Sequence, residues 1–226
     1  MTKPDLAWID KLLRLERLPG PVLELGAGWG GMTCRELVLR SGLKYFGTDL
    51  QVGDGADFAA NFETGDGVDE ITRSVGSQFG TVLVLNVLEH TFNPLAVLDN
   101  AVSLARPGGA VVVITPAVWP LHGYPIDCCR LLPDWYRRFA ATRSVLLDEE
   151  LFEFIGAGRI SDFKDRTGHE AMPLPAQANS GWRLWSRVIH RAFGTYGRGM
   201  AFPSHVAIGA VMTPYPERTD RMVGGA

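Results

Sequence analysis

One stretch limits what this chain can fold into more than any other: Val22-Leu23-Glu24-Leu25-Gly26-Ala27-Gly28-Trp29-Gly30-Gly31, with Asp49 following Gly28 by 21 residues. A short, mostly apolar run empties into glycines. A helical pattern follows from Thr33 to Leu39, and a second apolar run, Lys44 to Leu50, carries a carboxylate near its end. That is the form of a strand, a tight nucleotide-binding turn, a helix, a second strand and a ribose-facing acid. Glycine suits the turn because a side chain there would strain the backbone or hold a ligand away from it. The acid is expected roughly 20 residues beyond the glycines. The pattern announces a nucleotide-like ligand without choosing one, since Gly26, Gly28 and Gly31 also satisfy the G-x-G-x-x-G of dinucleotide sites.

At 226 residues, 46% hydrophobic and 21% charged, the chain has an ordinary globular composition. It reads as a single domain over residues 1–226, with an N-terminal cap helix over residues 5–18 and substrate-side insertions at about 116–140 and about 164–200. A net charge of −3 speaks against non-specific nucleic-acid binding, which works by neutralising phosphates. Cys34, Cys128 and Cys129 are odd in number and lack metal-ligand spacing. Reduced thiols, a cytoplasmic location and no metal are therefore expected. The first residues lack the apolar core of a signal peptide, and no run approaches the roughly 18 apolar residues of a membrane span.

In order, Leu6, Ile9, Leu12, Leu13 and Leu15 give a helical rhythm that Pro19-Gly20 ends, with Trp8 packed in the core or sheltering a ligand. Strands are expected over Val22–Leu25, Lys44–Leu50, Ala56–Phe62, Thr81–Leu88 and Ala110–Thr115, and helices over Thr33–Leu39, Val68–Val75 and Pro94–Leu104. Strands alternating with helices imply right-handed crossovers and a parallel sheet covered on both faces. The fold class is α/β, doubly wound, with ligand over the carboxyl ends of the strands. An irregular loop from Trp119 to Arg130 leads to a helix through about Ala141. Beyond it, Arg159–Phe163 reads as a strand, Lys164–Asn179 as a loop, Gly181–Phe193 as a helix with an arginine stripe, and His205–Thr213 as a terminal strand.

The chain resembles the class I S-adenosylmethionine-dependent methyltransferases, in particular the type 11/23 group. Glu24, Gly26, Gly28 and Gly30 match its E-x-G-x-G-x-G turn, and Asp49 its strand-end acid. Leu88-Glu89-His90, Pro107-Gly108-Gly109 and the loop His122-x-Tyr124-Pro125-x-Asp127-x-x-Arg130 follow in the family's order. One departure is Gly80, where members often carry an aspartate. The resemblance implies a Rossmann-like, mostly parallel seven-stranded sheet with an antiparallel last strand, and S-adenosyl-L-methionine as cofactor. It further implies that Gly26, Ala27, Gly28 and Gly30 approach the methionine part, that Asp49, with Leu50 beside it, takes the ribose, that Phe62 lies near the adenine, and that backbone around Asn86 holds the amino-acid end.

Methyl transfer needs an acceptor aligned in a dry site, and orientation can supply roughly 7–11 kcal/mol at best. A hydroxyl or ammonium acceptor must also lose a proton, and a positioned base contributes on the order of 10²–10⁴-fold. His90 and His122 are the candidate catalytic bases, since histidine titrates unassisted near neutrality. Trp119 and Tyr124 are candidates to pack over a substrate ring, while Asp127 either orients His122 or pairs with Arg130 to hold the loop. The expected function is methyl transfer to a small-molecule acceptor, by family habit a hydroxyl of a sugar or secondary metabolite. N- or carboxyl-methylation is the alternative within the class. An NAD-dependent oxidoreductase, for which no Tyr-x-x-x-Lys pair is found, and a catalytically inactive binding module are the alternatives outside it. The expected partners are the acceptor and, for the protein itself, a second copy in a homodimer; membrane and nucleic acid are not expected.

Overall fold

The computed structural model describes residues 1–28, 33–76, 78–123, 126–143, 145–173, 188 and 206–215. Its framework is five parallel strands: β1 (Val22–Leu25), β2 (Tyr45–Asp49), β3 (Phe58–Ala59), β4 (Phe79–Leu85) and β5 (Ala105–Val118). β6 (Val145–Leu147), β7 (Glu153–Phe154), β8 (Gly158–Arg159) and β9 (Val206–Pro214) complete a nine-stranded sheet in the order β3-β2-β1-β4-β5-β9-β7-β8, with β6 also paired to β9. β9 runs antiparallel to β5, and β6 and β7 run antiparallel to β9. The fold class is the expected one, with nine strands in place of seven. β6, β7 and β8 are two- and three-residue pieces, β6 and β7 paired to β9 and β8 to β7, too short to carry a periodicity of their own.

The central strands form because they are apolar on both faces, and successive side chains point to opposite sides. Leu23, Leu25, Val82, Val84, Val111 and Val113 join one core cluster, against α3 (Asp66–Val75), α4 (Pro94–Leu104) and α5 (Pro133–Thr142). Val22, Leu83, Leu85, Val112 and Ile114 join the other, against α1 (Lys3–Arg14) and α2 (Arg35–Arg40). The chain works outward from β1 to β3 and then returns to β4, so the strand order reverses between β1 and β4. A ligand crevice belongs at that reversal.

Several boundaries differ from the sequence reading for local reasons. α1 begins at Lys3 rather than in the region of Asp5 or Leu6, because Thr2 and Asp5 form a reciprocal cap: Thr2 N donates to Asp5 Oδ2 at 2.6 Å and Asp5 N to Thr2 Oγ1 at 3.3 Å. β4 stops at Leu85, not Leu88, because Asn86 adopts φ +54 and a 3₁₀ turn follows over Leu88–His90. β3 is two residues, not the seven expected. β5 begins at Ala105, which pairs with Phe79, and runs on to Val118 alongside β9. Arg159–Phe163 is not a strand: β7 and β8 make a tight hairpin through Gly156, and Ile160–Asp162 turns as 3₁₀. Gly80 also finds its explanation, since a Cβ there would stand 2.4 Å from the carbonyl oxygens of both Pro19 and Gly20. An aspartate at that position would need the β1 approach rebuilt. Gly30, Tyr124 and His205 lie outside the described residues, as does the expected helix over Gly181–Phe193 save Val188. No helix among the described residues is long and apolar enough to cross a membrane.

Candidate active site

At the strand-order reversal, the carboxyl ends of β1, β2 and β4 open into a cavity of about 560 Å³, within the range of small-molecule sites. Gly26 turns the chain out of β1 with φ +75, and a Cβ there would meet Val87 Cγ2 at 2.5 Å. The position therefore needs glycine twice over, for its backbone angle and for its space. Gly28 N then donates to Asp49 Oδ2 at 2.8 Å, while Leu50 N donates to Asp49 Oδ1 at 2.6 Å. An ionised carboxylate has about four lone-pair sites, so two remain for hydroxyls in the cavity. Phe62 lies in the wall with its carbonyl fixed by Asn100 Nδ2 at 2.9 Å. Across the cavity, Asn86 N donates to Ile114 O at 2.8 Å, which holds the left-handed residue in place. Its side chain reaches Asp5 Oδ2 at 3.4 Å, and Asp5, Thr2 and Met1 bring the start of α1 into the wall.

Glu24 lies beneath this turn, buried in the core. Its Oε2 accepts from Cys34 N at 2.9 Å and from the Tyr45 hydroxyl at 2.6 Å, so one carboxyl ties β1 to β2 and to the start of α2. Burial pushes its pKa up to about 7, against the lowering effect of those two donors.

The other end of the cavity is built from the Leu88–His90 turn and the loop after β5. Glu89 O accepts from Cys128 N at 2.7 Å and from Cys129 N at 3.3 Å, which fastens the loop to the turn. His90 Nδ1 lies 2.5 Å from Ile126 O. A carbonyl can only accept, so Nδ1 carries the proton and Nε2 keeps its lone pair. Burial lowers the pKa of His90, which favours this neutral form. The His90 and His122 rings meet edge to face at 4.8 Å, and Trp119 lies beside His122 at 6.2 Å. Asp127 pairs with Arg130, which grips it with two nitrogens, Nη2–Oδ2 at 2.7 Å, while the backbone N of His122 donates to it at 3.0 Å; the His122 ring turns its Nδ1 to Pro120 O at 3.2 Å, with Asp127 Oδ2 3.3 Å away. The Arg130 guanidinium holds the Asp127 carboxyl well below the usual range. Glu89 is the odd member: 1% exposed and in the cavity wall, its two carboxylate oxygens have no hydrogen-bond partner among the described residues. Burial pushes its pKa up to about 8.

A family profile described as "Methyltransferase domain" matches residues 4–166. The chain belongs to that methyltransferase family. Its fold is that of the class I S-adenosylmethionine-dependent methyltransferases. It covers 93% of the chain and 94% of a SAM-dependent methyltransferase from Archaeoglobus fulgidus at 14% identity and a TM-score of 0.50. It also covers 95% of the chain and 78% of the 1,6-didemethyltoxoflavin-N1-methyltransferase of Burkholderia thailandensis, solved with 1,6-didemethyltoxoflavin and S-adenosylhomocysteine, at 13% identity and a TM-score of 0.55. At such identities the likeness is one of fold. The ubiquinone biosynthesis O-methyltransferase of Dechloromonas aromatica (strain RCB) is 32% identical over 116 residues, which is 48% of each protein, so the chain spans about half the length of that relative.

Of the residues singled out in the methyltransferase sequence, Gly26, Asp49, Leu50, Phe62, Asn86, His90, Trp119 and His122 line this one cavity. Ala27 is buried behind the turn, Gly28 reaches the cavity through the carboxylate it holds, and Asp127 and Arg130 stand behind His122. Asp5 and Glu89 are wall residues that sequence reasoning passed over. Both had a signal: Thr2-x-x-Asp5 has the spacing of a helix cap, and Glu89 is the middle residue of Leu88-Glu89-His90.

Proposed function

We propose that this protein transfers the methyl group of S-adenosylmethionine to an oxygen of a small-molecule acceptor. When bound, the cofactor supplies an electrophilic methyl on a sulfonium, and the remaining work falls to the chain's own residues. The cradle fits such a ligand: a glycine turn at Gly26 where no side chain has room, and a strand-end carboxylate with lone pairs left over. Asp49 grips the ribose hydroxyls, Phe62 covers the base, and the Asn86 backbone with Asp5 receives the amino-acid end. Asp5 is buried and acidic, which suits a ligand ammonium.

The observation that carries an acceptor which must lose a proton, as a hydroxyl does, is the neutral imidazole at the far end of the same cavity, with its Nδ1 proton fixed on Ile126 O and its Nε2 lone pair kept. His90 there accepts the proton that an acceptor hydroxyl must lose, with His122 beside it. Trp119 supplies an apolar flank. The name of the Dechloromonas relative, an O-methyltransferase, agrees with this choice. Calorimetric titration of the purified protein with S-adenosylhomocysteine and with NADH tests the cofactor, and a methyl-transfer screen over phenols, sugars and amines tests the acceptor. Binding of NADH but not of S-adenosylhomocysteine overturns the first reading, and turnover confined to amines overturns the second.

A further inference from the structure

Glu89, His90 and His122 are brought together by the fold from two chain segments, and one ligand atom from each lies within 4.8 Å of the others. His90 Nε2 and Glu89 Oε1 stand 3.8 Å apart. Ligands about 2.0–2.2 Å from a tetrahedral ion are roughly 3.3–3.6 Å from one another, so a modest side-chain rotation closes the set. We propose that these three side chains hold a divalent first-row transition cation, of the class of Zn²⁺, Mn²⁺ or Fe²⁺, at the acceptor end of the cavity.

Three independent features support the assignment. A buried carboxylate with neither oxygen hydrogen-bonded is costly, and among the described residues no lysine or arginine lies within ion-pair distance of Glu89. The nearby Arg130 is committed to Asp127, so a cation at this point gives the Glu89 oxygens the partner they lack among the described residues. Next, both imidazoles are held as metal ligands are held, with one ring nitrogen on an outer acceptor: His90 Nδ1 on Ile126 O at 2.5 Å, and His122 Nδ1 near Pro120 O at 3.2 Å and Asp127 Oδ2 at 3.3 Å. That arrangement leaves the Nε2 lone pair of each ring for the ion. Last, three protein ligands leave at least one coordination position to the cavity, as in metal sites that act on substrates. Two imidazoles select a transition cation over Mg²⁺, which favours oxygen donors and retained waters.

The inference rests on the reading of this cavity as a methyl-transfer site and names its acceptor class: a molecule with an oxygen donor, such as a phenol or a pair of neighbouring hydroxyls, that takes the open position. With the ion bound, the His90 lone pair serves as a ligand, and the ion in place of His90 acidifies the hydroxyl, whose proton passes to solvent. Cation binding is measurable on its own. Full-length protein stripped with a chelator and titrated with Co²⁺ should bind one ion per chain, with visible absorption that Zn²⁺ displaces and Mg²⁺ does not. Glu89→Gln and His122→Ala should each weaken binding by tenfold or more, and Asp127→Asn, one shell out, by about 10–100-fold. Affinity for S-adenosylhomocysteine, measured in the same samples, reports on the cofactor cradle and shows that each variant is folded. Absence of Co²⁺ binding by a protein that binds S-adenosylhomocysteine overturns the cation site and leaves the methyl-transfer reading standing. Undiminished Co²⁺ binding in both Glu89→Gln and His122→Ala overturns it as well.

Discussion

Glu24 offers a test of how the glycine turn after β1 is held, because its protonation is coupled to folding. It is an acid whose folded value, about 7, lies above the 4.5 of an ordinary glutamate. The folded protein keeps a proton that the unfolded chain has already released, so stability falls as pH rises from about 4.5 and levels off above about 7. The gap of about 2.5 pH units corresponds to roughly 3 kcal/mol in full, of which about 2.5 kcal/mol develops between pH 5 and pH 8. Glu24→Gln keeps an oxygen for Cys34 N and for the Tyr45 hydroxyl and removes the titration. Urea denaturation of both proteins at pH 5, 6, 7 and 8 measures the difference. Every other ionisable group is common to both proteins and cancels in the comparison. The wild type should lose about 2.5 kcal/mol more than Glu24→Gln over that range. Parallel curves, or a wild type that gains on the variant as pH rises, would refute the burial of this carboxyl as the cause.

Other expectations follow from single contacts. Asp49→Ala should weaken S-adenosylhomocysteine binding by tenfold or more in calorimetry, while far-ultraviolet circular dichroism stays unchanged. Gly26→Ala combines a left-handed backbone with a 2.5 Å contact to Val87 Cγ2, and should cost about 2–4 kcal/mol in urea denaturation. Adding Val87→Ala should restore the part due to the clash. Tyr136→Phe leaves the Thr115 hydroxyl, buried in β5, without the partner it has now, and should cost about 1–2 kcal/mol by the same measurement.

The parallel half of the sheet was legible because Val82–Leu85 in β4 and Ala110–Ile114 in β5 are apolar without interruption, and because glycines and an acid stood at the ends of β1 and β2. β6, β7 and β8 were not, since two or three residues paired along β9 or β7 owe their conformation to the partner strand rather than to their own pattern. Gly80 looked like a departure in sequence and proves to be a close approach of two backbones. His90 and His122 were each named, but their ring contact depends on Glu89 O fastening the Cys128–Cys129 segment, a main-chain contact that no side-chain pattern reports. The buried state of Glu89 was equally invisible, because a polar letter between a strand and a helix does not say which way it faces.

The cavity has two walls with different addresses in the chain. Turns after β1, β2 and β4 make one wall, and each is locked by main-chain bonds within the parallel sheet. The wall opposite leans on a single loop after β5, held to the rest through Glu89 O and Ile126 O and tied within itself by the Asp127–Arg130 pair. Divergence can therefore act on one without unsettling the other. On the proposed reading of the cavity, exchanging residues 119–130 between relatives, with Glu89 and His90 kept as the anchor, is the graft by which acceptor preference could be moved while the donor site is inherited intact.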